Sequence, residues 1–99
     1  MRSNEAAFAL GLAQKAGKVA SGYLAVTTAL KKGKACLMLL ANDAAASSRK
    51  ELVAMAESMS VPVVEPMTRA ELGQAIGKAE RAAVIITDQG FAKMIQSKL

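Results

Sequence analysis

The segment GKVASGY at residues 17–23 brings together residue types that can hold a phosphate and a nucleobase. Backbone N–H groups at the start of a helix bind phosphates, and a glycine such as Gly22 lets a nucleic-acid backbone come close. Tyr23 can stack on an unpaired base, and Lys18 can neutralise a phosphate. The same pattern also fits an ordinary glycine-rich connection with Tyr23 packed on the surface, so the segment alone leaves both interpretations open.

Side chains for catalysis or metal binding are missing or scattered. The 99 residues contain no histidine, which excludes Ser-His-Asp and Cys-His catalysis and His-ligated zinc. Cys36 is the only cysteine, so neither an intramolecular disulfide nor a multi-cysteine metal site can form. The eight Asp and Glu residues form no acid–base pair, and the sequence has no P-loop or dinucleotide fingerprint. We therefore expect that the protein is not an enzyme and has no catalytic residues. We also expect it to bind no metal, cofactor or small-molecule substrate.

Positive charge is concentrated in the first half of the chain. Residues 1–50 hold eight Lys or Arg against two carboxylates, a net charge of +6, whereas residues 51–99 hold five against six, a net charge of −1. The segment between Glu5 and Asp43 has no carboxylate, and its lysines are Lys15, Lys18, Lys31, Lys32 and Lys34. This pattern favours a polyanionic partner over a merely solvated cationic face. It disfavours a membrane surface, because no basic face carries Trp or Phe.

Helical patterns and short apolar runs alternate along the chain. Helices are predicted at about 4–16, 23–32, 48–59, 68–77 and from 88, and strands at about 19–20, 35–41, 61–65 and 82–87. Such alternation predicts one α/β domain over residues 1–99, with a largely parallel sheet between helical layers.

Local signals mark the ends and faces of these helices. The pairs Ser48–Glu51 and Thr68–Glu71 have the spacing of capping boxes, and Asp88 can cap the last helix. The i, i+4 spacing of Phe8, Leu12 and Ala16, together with Ala9 and Ala13, places these residues on the apolar stripe of the first helix.

No segment has the length of a membrane span. The longest uninterrupted apolar run is 35–41, whereas a spanning helix needs about 20 residues. The first residues, MRSNE, offer no compact apolar region of a secretory signal. We expect a cytoplasmic protein.

Several motifs together resemble a known family. They are LAQKAGK at 12–18, SG at 21–22, LANDA at 40–44, VPV at 61–63, ELGQAIGK at 71–78 and TDQGFAK at 87–93. From Phe8 to Lys93 the chain resembles the YlxQ-type bacterial ribosomal proteins of the L7Ae/L30e superfamily, with ELGQAIG as the most specific element. The resemblance implies a three-layer α/β/α sandwich around a four-stranded mixed sheet. It also implies RNA binding, typically to kink-turns, through loops at one edge of that sheet.

The resemblance implies a first RNA-contact loop at Gly22, which matches the glycine that opens the second helix of the family. The polar residues that follow it in the family are replaced here by Tyr23, Leu24 and Ala25, and Thr28 stands where a lysine is usual. Leu24 and Ala25 cannot donate hydrogen bonds to base edges, and Thr28 carries no charge. These departures weaken the readout of kink-turn bases and leave general phosphate contacts in place.

Two further contact loops are implied by the resemblance. Asn42 and Asp43 match the loop after the second strand, where Asp43 can equally cap a turn. The connection before the last strand keeps a basic character and can cover a flipped-out base, and its contact residues are Lys78, Arg81, Ala82 and Ala83.

The leading hypothesis is a non-enzymatic protein that binds structured RNA, ribosomal RNA or the ribosome, by shape and phosphate contacts. Lys31, Lys32 and Lys34 are expected within a turn or two of the same edge, where they add phosphate contacts. The alternative is a protein-interaction module whose apolar contact patch is formed by residues 23–25.

Overall fold

The computed structural model describes the backbone of residues 2–99 and the side chains of residues 5–99. Within these residues, five helices and four strands alternate in the predicted order. Their bounds are α1 Arg2–Lys15, β1 Val19–Ser21, α2 Tyr23–Lys31, β2 Leu37–Leu40, α3 Ala46–Ser58, β3 Val63–Val64, α4 Arg69–Ala75, β4 Ala83–Ile86 and α5 Gln89–Gln96. None of the described helices has the length and apolar character needed to cross a bilayer.

The four strands form one mixed sheet in the order β1-β4-β2-β3. Only β2 and β3 are parallel, while β4 is antiparallel to both of its neighbours, β1 and β2. The register aligns Val19, Ile86 and Leu37 in one row across these three strands. The mixed sheet that the family resemblance implies is confirmed, and the largely parallel sheet inferred from alternation alone is wrong.

The antiparallel course of β4 follows from the connection that contains α4. This helix has 7 residues, about 10 Å in length. The chain then turns back along it, and the Arg81 backbone N–H donates a hydrogen bond to the Arg69 carbonyl oxygen at 3.1 Å. Because the connection returns to where it began, β4 starts at the end of the sheet where β3 finishes and must run in the opposite direction.

Alternate residues of the central strands face two separate hydrophobic cores. Leu37 and Leu39 of β2 pack with residues of α1, α4 and α5, whereas Met38 and Leu40 pack with residues of α2 and α3. Strands covered on both faces are apolar at every position, as β2 and β4 are. The two cores confirm the three-layer α/β/α sandwich.

Small residues form most of the buried face of α1. Spacing alone places Phe8 and Leu12 on that face, but Phe8 is 71% exposed and Leu12 also reaches the surface. The buried positions are Ala6, Ala9, Leu10 and Ala13, which confirms the predicted Ala9 and Ala13, whereas the predicted Ala16 is exposed. Small side chains allow α1 to pack closely on the sheet and on α4 and α5, so tertiary packing overrides the larger apolar residues.

One of the two predicted capping boxes forms. In α4 the Glu71 backbone N–H donates to Thr68 Oγ1 at 3.2 Å, and the Thr68 N–H donates to the Glu71 carboxylate at 2.8 Å. In α3 the N-cap is Ala45, with no side-chain cap, so the predicted Ser48–Glu51 box is wrong. The helix starts at Ala46, which puts Ser48 inside its first turn instead of at its cap.

Gly73 lets the chain return along α4. A Cβ at this position would lie 2.2 Å from the Ala79 carbonyl oxygen and 2.8 Å from the Cα of Glu80. Contacts this short with backbone atoms cannot be relieved by rotating a side chain. Glycine is therefore required where the ELGQAIG element packs against the connection that leads to β4.

We predict that Gly73→Ala lowers the free energy of unfolding by about 2 kcal/mol or more, because the backbone at Ala79 and Glu80 must move to admit a methyl group. The measurement is urea unfolding followed by circular dichroism. Gly11→Ala is the matched control, since Gly11 also lies inside a helix and its Cβ would approach the Ala75 carbonyl oxygen at 3.2 Å. Equal stability of the two variants would contradict this account of Gly73.

Candidate nucleic-acid interface

One end of the sheet gathers most of the predicted RNA-contact residues. β1 and β2 finish there and β4 starts there, since Ser21 pairs with Val84 and Leu40 pairs with Ala83. We call it the pocket end. The predicted residues in its loops and strand ends are Gly22, Tyr23, Asn42, Asp43, Arg81, Ala82 and Ala83. Lys78 lies at the start of the connection that leads back to this end, alongside Gly73.

A pocket of about 150 Å³ opens between the start of α2, the first half of α3 and the start of β4. Its lining residues are Gly22, Tyr23, Val26, Ser48, Leu52, Ala82 and Ala83. Most of these are apolar, and Ala83 belongs to the core beneath the pocket, with 4% of its surface exposed. Sites for drug-sized ligands occupy roughly 300–1,000 Å³, so this pocket is of a size for a single flat ring.

Gly22 shapes the entrance to the pocket. Its φ of 88° lies in the left-handed region that residues other than glycine rarely adopt. It is the N-cap of α2, and no side chain caps the helix there. The N–H groups in the first turn of α2 are therefore left for an anionic ligand or solvent.

Tyr23 is held at the pocket by a contact that the sequence pattern did not indicate. Its hydroxyl donates a hydrogen bond to Glu51 Oε1 at 2.8 Å, while the residue stays 59% exposed. This hydrogen bond is the main reason that the pKa of Tyr23 is raised, with smaller contributions from desolvation and from the carboxylate charge. Glu51 thus anchors Tyr23 instead of capping α3. The two residues lie 28 positions apart, so no local spacing reveals the pair.

Arg81 joins the two loops of the pocket end. Its Nη1 donates to the carbonyl oxygens of Ala79 and Glu80, both at 3.1 Å, and its Nε makes a longer contact of 3.4 Å with Ser21 Oγ. The guanidinium therefore lies between the end of β1 and the connection before β4. Its positive charge therefore lies beside the pocket.

Asp43 holds the start of α4, a long-range contact that the sequence did not indicate. Its Oδ1 accepts a hydrogen bond from the Arg69 backbone N–H at 2.8 Å and lies 3.6 Å from the Arg69 Nε. The neighbouring Asn42 is exposed. Among the described residues, no group of three or more Cys, Asp or Glu is arranged to hold a metal ion.

Arg49 fixes the loop after β2, although the sequence did not single it out as a site residue. Its Nη2 donates to the carbonyl oxygens of Ala41 and Asn42 at 3.3 and 3.4 Å and pairs with Glu65 Oε1 at 2.7 Å. The hydrogen bond between the two side chains raises the pKa of Arg49 and lowers the pKa of Glu65. The partners lie on α3 and just after β3, so only the packed structure brings them together.

The predicted lysines lie at the other end of the sheet. α2 carries the chain about 12 Å from its first residue to Lys31, and Lys34 precedes the start of β2. Lys18 directly precedes β1 at this same end. The expectation that Lys31, Lys32 and Lys34 share the edge of Gly22 is therefore wrong, because a helix of nine residues spans the length of the short strands. Thr28 lies between the two ends, half-buried on α2.

Three comparisons place this fold and its loops among known proteins. The chain matches the ribosomal protein L7Ae/L30e/S12e/Gadd45 family over residues 4–96. It is 40% identical over 90 residues to the RNA-binding protein YlxQ of Bacillus subtilis, covering 91% of this chain and 90% of that protein. It is 33% identical over 96 residues to the large ribosomal subunit protein eL8 of Methanobrevibacter smithii, covering 92% and 76%. A solved structure of a protein of unknown function from Bacillus halodurans superposes with a TM-score of 0.89 at 32% identity, covering 95% of each chain.

The fold and the pocket together define a three-layer α/β/α protein in which the Gly22 loop and the start of β4 meet at one end of a mixed sheet. The family match extends over nearly the whole chain. The chain belongs to the ribosomal protein L7Ae/L30e/S12e/Gadd45 family, and the YlxQ-type resemblance of its motifs is confirmed.

The titration of Tyr23 tests the contact with Glu51. The chain has one tyrosine and no tryptophan, so ultraviolet absorbance of the phenolate reports on this side chain alone. We predict a titration midpoint above the ordinary pKa of 10.0, because the Glu51 carboxylate stabilises the neutral phenol and repels the phenolate. Glu51→Gln should lower the midpoint towards 10.0.

Glu57→Gln is the control for that titration, since it removes the same charge from the far end of α3 and should leave the midpoint unchanged. If the titration midpoint of Tyr23 is the same in Glu51→Gln as in the unaltered protein, Tyr23 is not hydrogen-bonded to Glu51 in solution.

Proposed function

We propose that this protein binds structured RNA, without catalysis, through the pocket end. The observation that carries the proposal is the pocket, whose opposite walls are the Gly22 loop and the start of β4, two segments remote in sequence. These are the loops that the family resemblance marks for RNA contact. The names of two relatives, an RNA-binding protein and a large ribosomal subunit protein, support RNA as the ligand. We propose ribosomal RNA or the ribosome, in the cytoplasm, as the setting of its natural target.

The pocket suits one unpaired base. Its volume of about 150 Å³ and its apolar floor of Val26, Leu52 and Ala83 suit a flat ring of the size of one base. The exposed ring of Tyr23 offers a stacking surface at the rim, and stacking contributes about 1–3 kcal/mol per base. Proteins that recognise RNA sequence-specifically most often take such splayed-out bases from loops and bulges.

Phosphates next to that base would meet positive potential on several sides. The uncapped N–H groups at the start of α2 are one source. Arg81 is a second, and the exposed Lys50 near the start of α3 is a third. Leu24 and Ala25 are exposed there but cannot read base edges. We therefore propose recognition by shape, with a kink-turn or a similarly bent RNA as the ligand.

A filter-binding titration tests this function directly. The protein is titrated with a kink-turn RNA and with a straight duplex of equal length, each at two salt concentrations. We expect the kink-turn to bind at least about tenfold more tightly, a difference of about 1.4 kcal/mol. Equal, salt-sensitive binding would reject kink-turn selectivity and retain general RNA binding. Absence of binding to both RNAs would reject the proposal.

In the same titration, Tyr23→Ala tests whether a base stacks on the ring. We expect it to weaken kink-turn binding by about 5- to 150-fold, the equivalent of 1–3 kcal/mol. Tyr23→Phe is the matched control, because it keeps the ring and removes the hydroxyl that bonds to Glu51, so it should retain most of the affinity. Equal losses in the two variants would show that the hydroxyl, and not the ring face, is what the RNA requires.

A protein-interaction module is the second candidate function. The observation that favours it is the exposure of the apolar patch at residues 23–25, where Leu24 is 78% exposed. Exposed apolar groups that include an aromatic ring are typical of the anchors of protein interfaces. This patch adjoins the pocket, so the two candidate functions use the same end of the molecule.

Salt concentration separates the two candidates. An RNA complex held by phosphate contacts weakens steeply as salt rises, whereas a protein complex centred on Leu24 survives moderate salt. We expect ribosomes retained on the immobilised protein to be released by moderate salt. Retention that withstands this salt and is lost in the variant Leu24→Asp would favour the protein-interaction module.

A further inference from the structure

The end of the sheet opposite the pocket carries five basic side chains. β1 and β2 start there and β4 finishes there. The residues that define this lysine end are Lys15, Lys18, Lys31, Lys32 and Lys34. They come from the end of α1, the turn before β1, the end of α2 and the turn before β2, so two separate connections bring them to this end of the sheet.

Backbone hydrogen bonds hold these turns close together. The Thr87 N–H donates to the Lys18 carbonyl oxygen at 2.9 Å, and the Cys36 N–H donates to the Ile86 carbonyl oxygen at 2.8 Å. β1 and β2 flank β4 on either side, and neighbouring strands lie about 4.8 Å apart. The backbone just before β1 and just before β2 is therefore separated by about 10 Å. Lys15 ends α1 on one face of the sheet, and Lys31 and Lys32 end α2 on the other face, so the lysines surround this end of the sheet from both sides.

The lysine end is strongly positive and its charges are not neutralised. All five lysines are exposed, and within the described residues none of them forms an ion pair. The carboxylates at this end are Glu57, in the last turn of α3, and Asp88, which accepts a hydrogen bond from the Phe91 N–H as the cap of α5. Five lysines against two carboxylates leave a net charge of +3.

Helix electrostatics explain part of this charge. Lys15, Lys31 and Lys32 lie at helix C-termini, where cations interact favourably with the helix dipole. Lys18 and Lys34 lie in turns, where that stabilisation does not apply. A surface for an anionic partner accounts for all five positions together.

The two ends of the molecule act as separate surfaces. The axis of α2 alone separates them by about 12 Å, and the Debye length at physiological ionic strength is about 8 Å. A phosphate bound beside the pocket is therefore largely screened from the charge of the lysine end.

We propose that the lysine end is a second RNA-binding surface, which binds the phosphate backbone of another RNA segment while the pocket end holds the first. Lysine ammonium groups bind phosphates as point charges, so this surface takes duplex RNA without reading its bases. The protein then bridges two segments of a folded RNA. The inference rests on the proposed function for the identity of the partner and adds a second site to it.

A two-RNA binding experiment tests the bridge. The protein is first saturated with unlabelled kink-turn RNA, and a fluorescent straight duplex is then added. We expect the duplex to bind to this complex with a steep salt dependence. Energy transfer between a labelled kink-turn and the labelled duplex should appear at the same protein concentration. A duplex that binds the free protein and is displaced by the kink-turn would overturn the proposal, since both RNAs would then use one site.

Variants assign the second site to the lysines. Lys31→Ala with Lys32→Ala should abolish the energy transfer and reduce the slope of log affinity against log salt for the duplex by up to about two. Lys93→Ala with Lys98→Ala is the matched control, because it removes two exposed lysines on or next to α5 and should leave both readings unchanged. Equal effects of the two double variants would show that only overall charge matters and would overturn the assignment.

These experiments distinguish failure of the proposal for the lysine end from failure of the proposal for the pocket end. If Tyr23→Ala leaves kink-turn affinity intact while the Lys31 and Lys32 double variant weakens duplex binding, the pocket proposal fails and the lysine end stands. If the kink-turn binds through Tyr23 and no second RNA joins the complex, the lysine proposal fails and the pocket stands.

Discussion

The return of the chain from α4 to β4 is the constraint on which the rest of the structure depends. At Gly73 the helix packs directly against the backbone of Ala79 and Glu80, and the Arg81 N–H reaches back to the Arg69 carbonyl oxygen. β4 therefore enters the sheet from the end where β3 leaves it and lies between β1 and β2. If the connection crossed the sheet instead, β4 would run the other way and its first residue would lie far from the Gly22 loop. The pocket would then have no second wall.

Several residues at the pocket end have a structural role before any ligand is considered. Arg81 donates to the carbonyl oxygens of its own loop, Asp43 accepts the Arg69 N–H at the start of α4, and Glu51 accepts a hydrogen bond from the hydroxyl of Tyr23. Side chains fixed in this way lose less rotamer entropy when a ligand binds. The shape of the pocket is consequently set by contacts within the protein before any ligand binds.

Local chemistry accounts for what could be predicted of the fold. The alternation of helical and apolar patterns, the Thr68–Glu71 capping box and the cap at Asp88 all depend on residues within a few positions of each other. The direction of β4 could not be predicted from alternation, because short helices allow a chain either to cross a sheet or to return along it. The prediction that Phe8 and Leu12 are buried on α1 was wrong for a related reason, since close packing on α4 and α5 selects its alanines over Phe8.

The sequence by itself determined the chemistry that this protein has at its disposal: no histidine, one cysteine, an acid-free basic segment and the motifs of an RNA-binding family. Only the tertiary structure decided which of those residues meet. Tyr23 and Glu51 are 28 positions apart and form a hydrogen bond, whereas Gly22 and Lys31 are close in sequence and lie at opposite ends of a rigid helix. Spacing along a chain specifies contacts within a few turns, while contacts between layers depend on how whole elements pack.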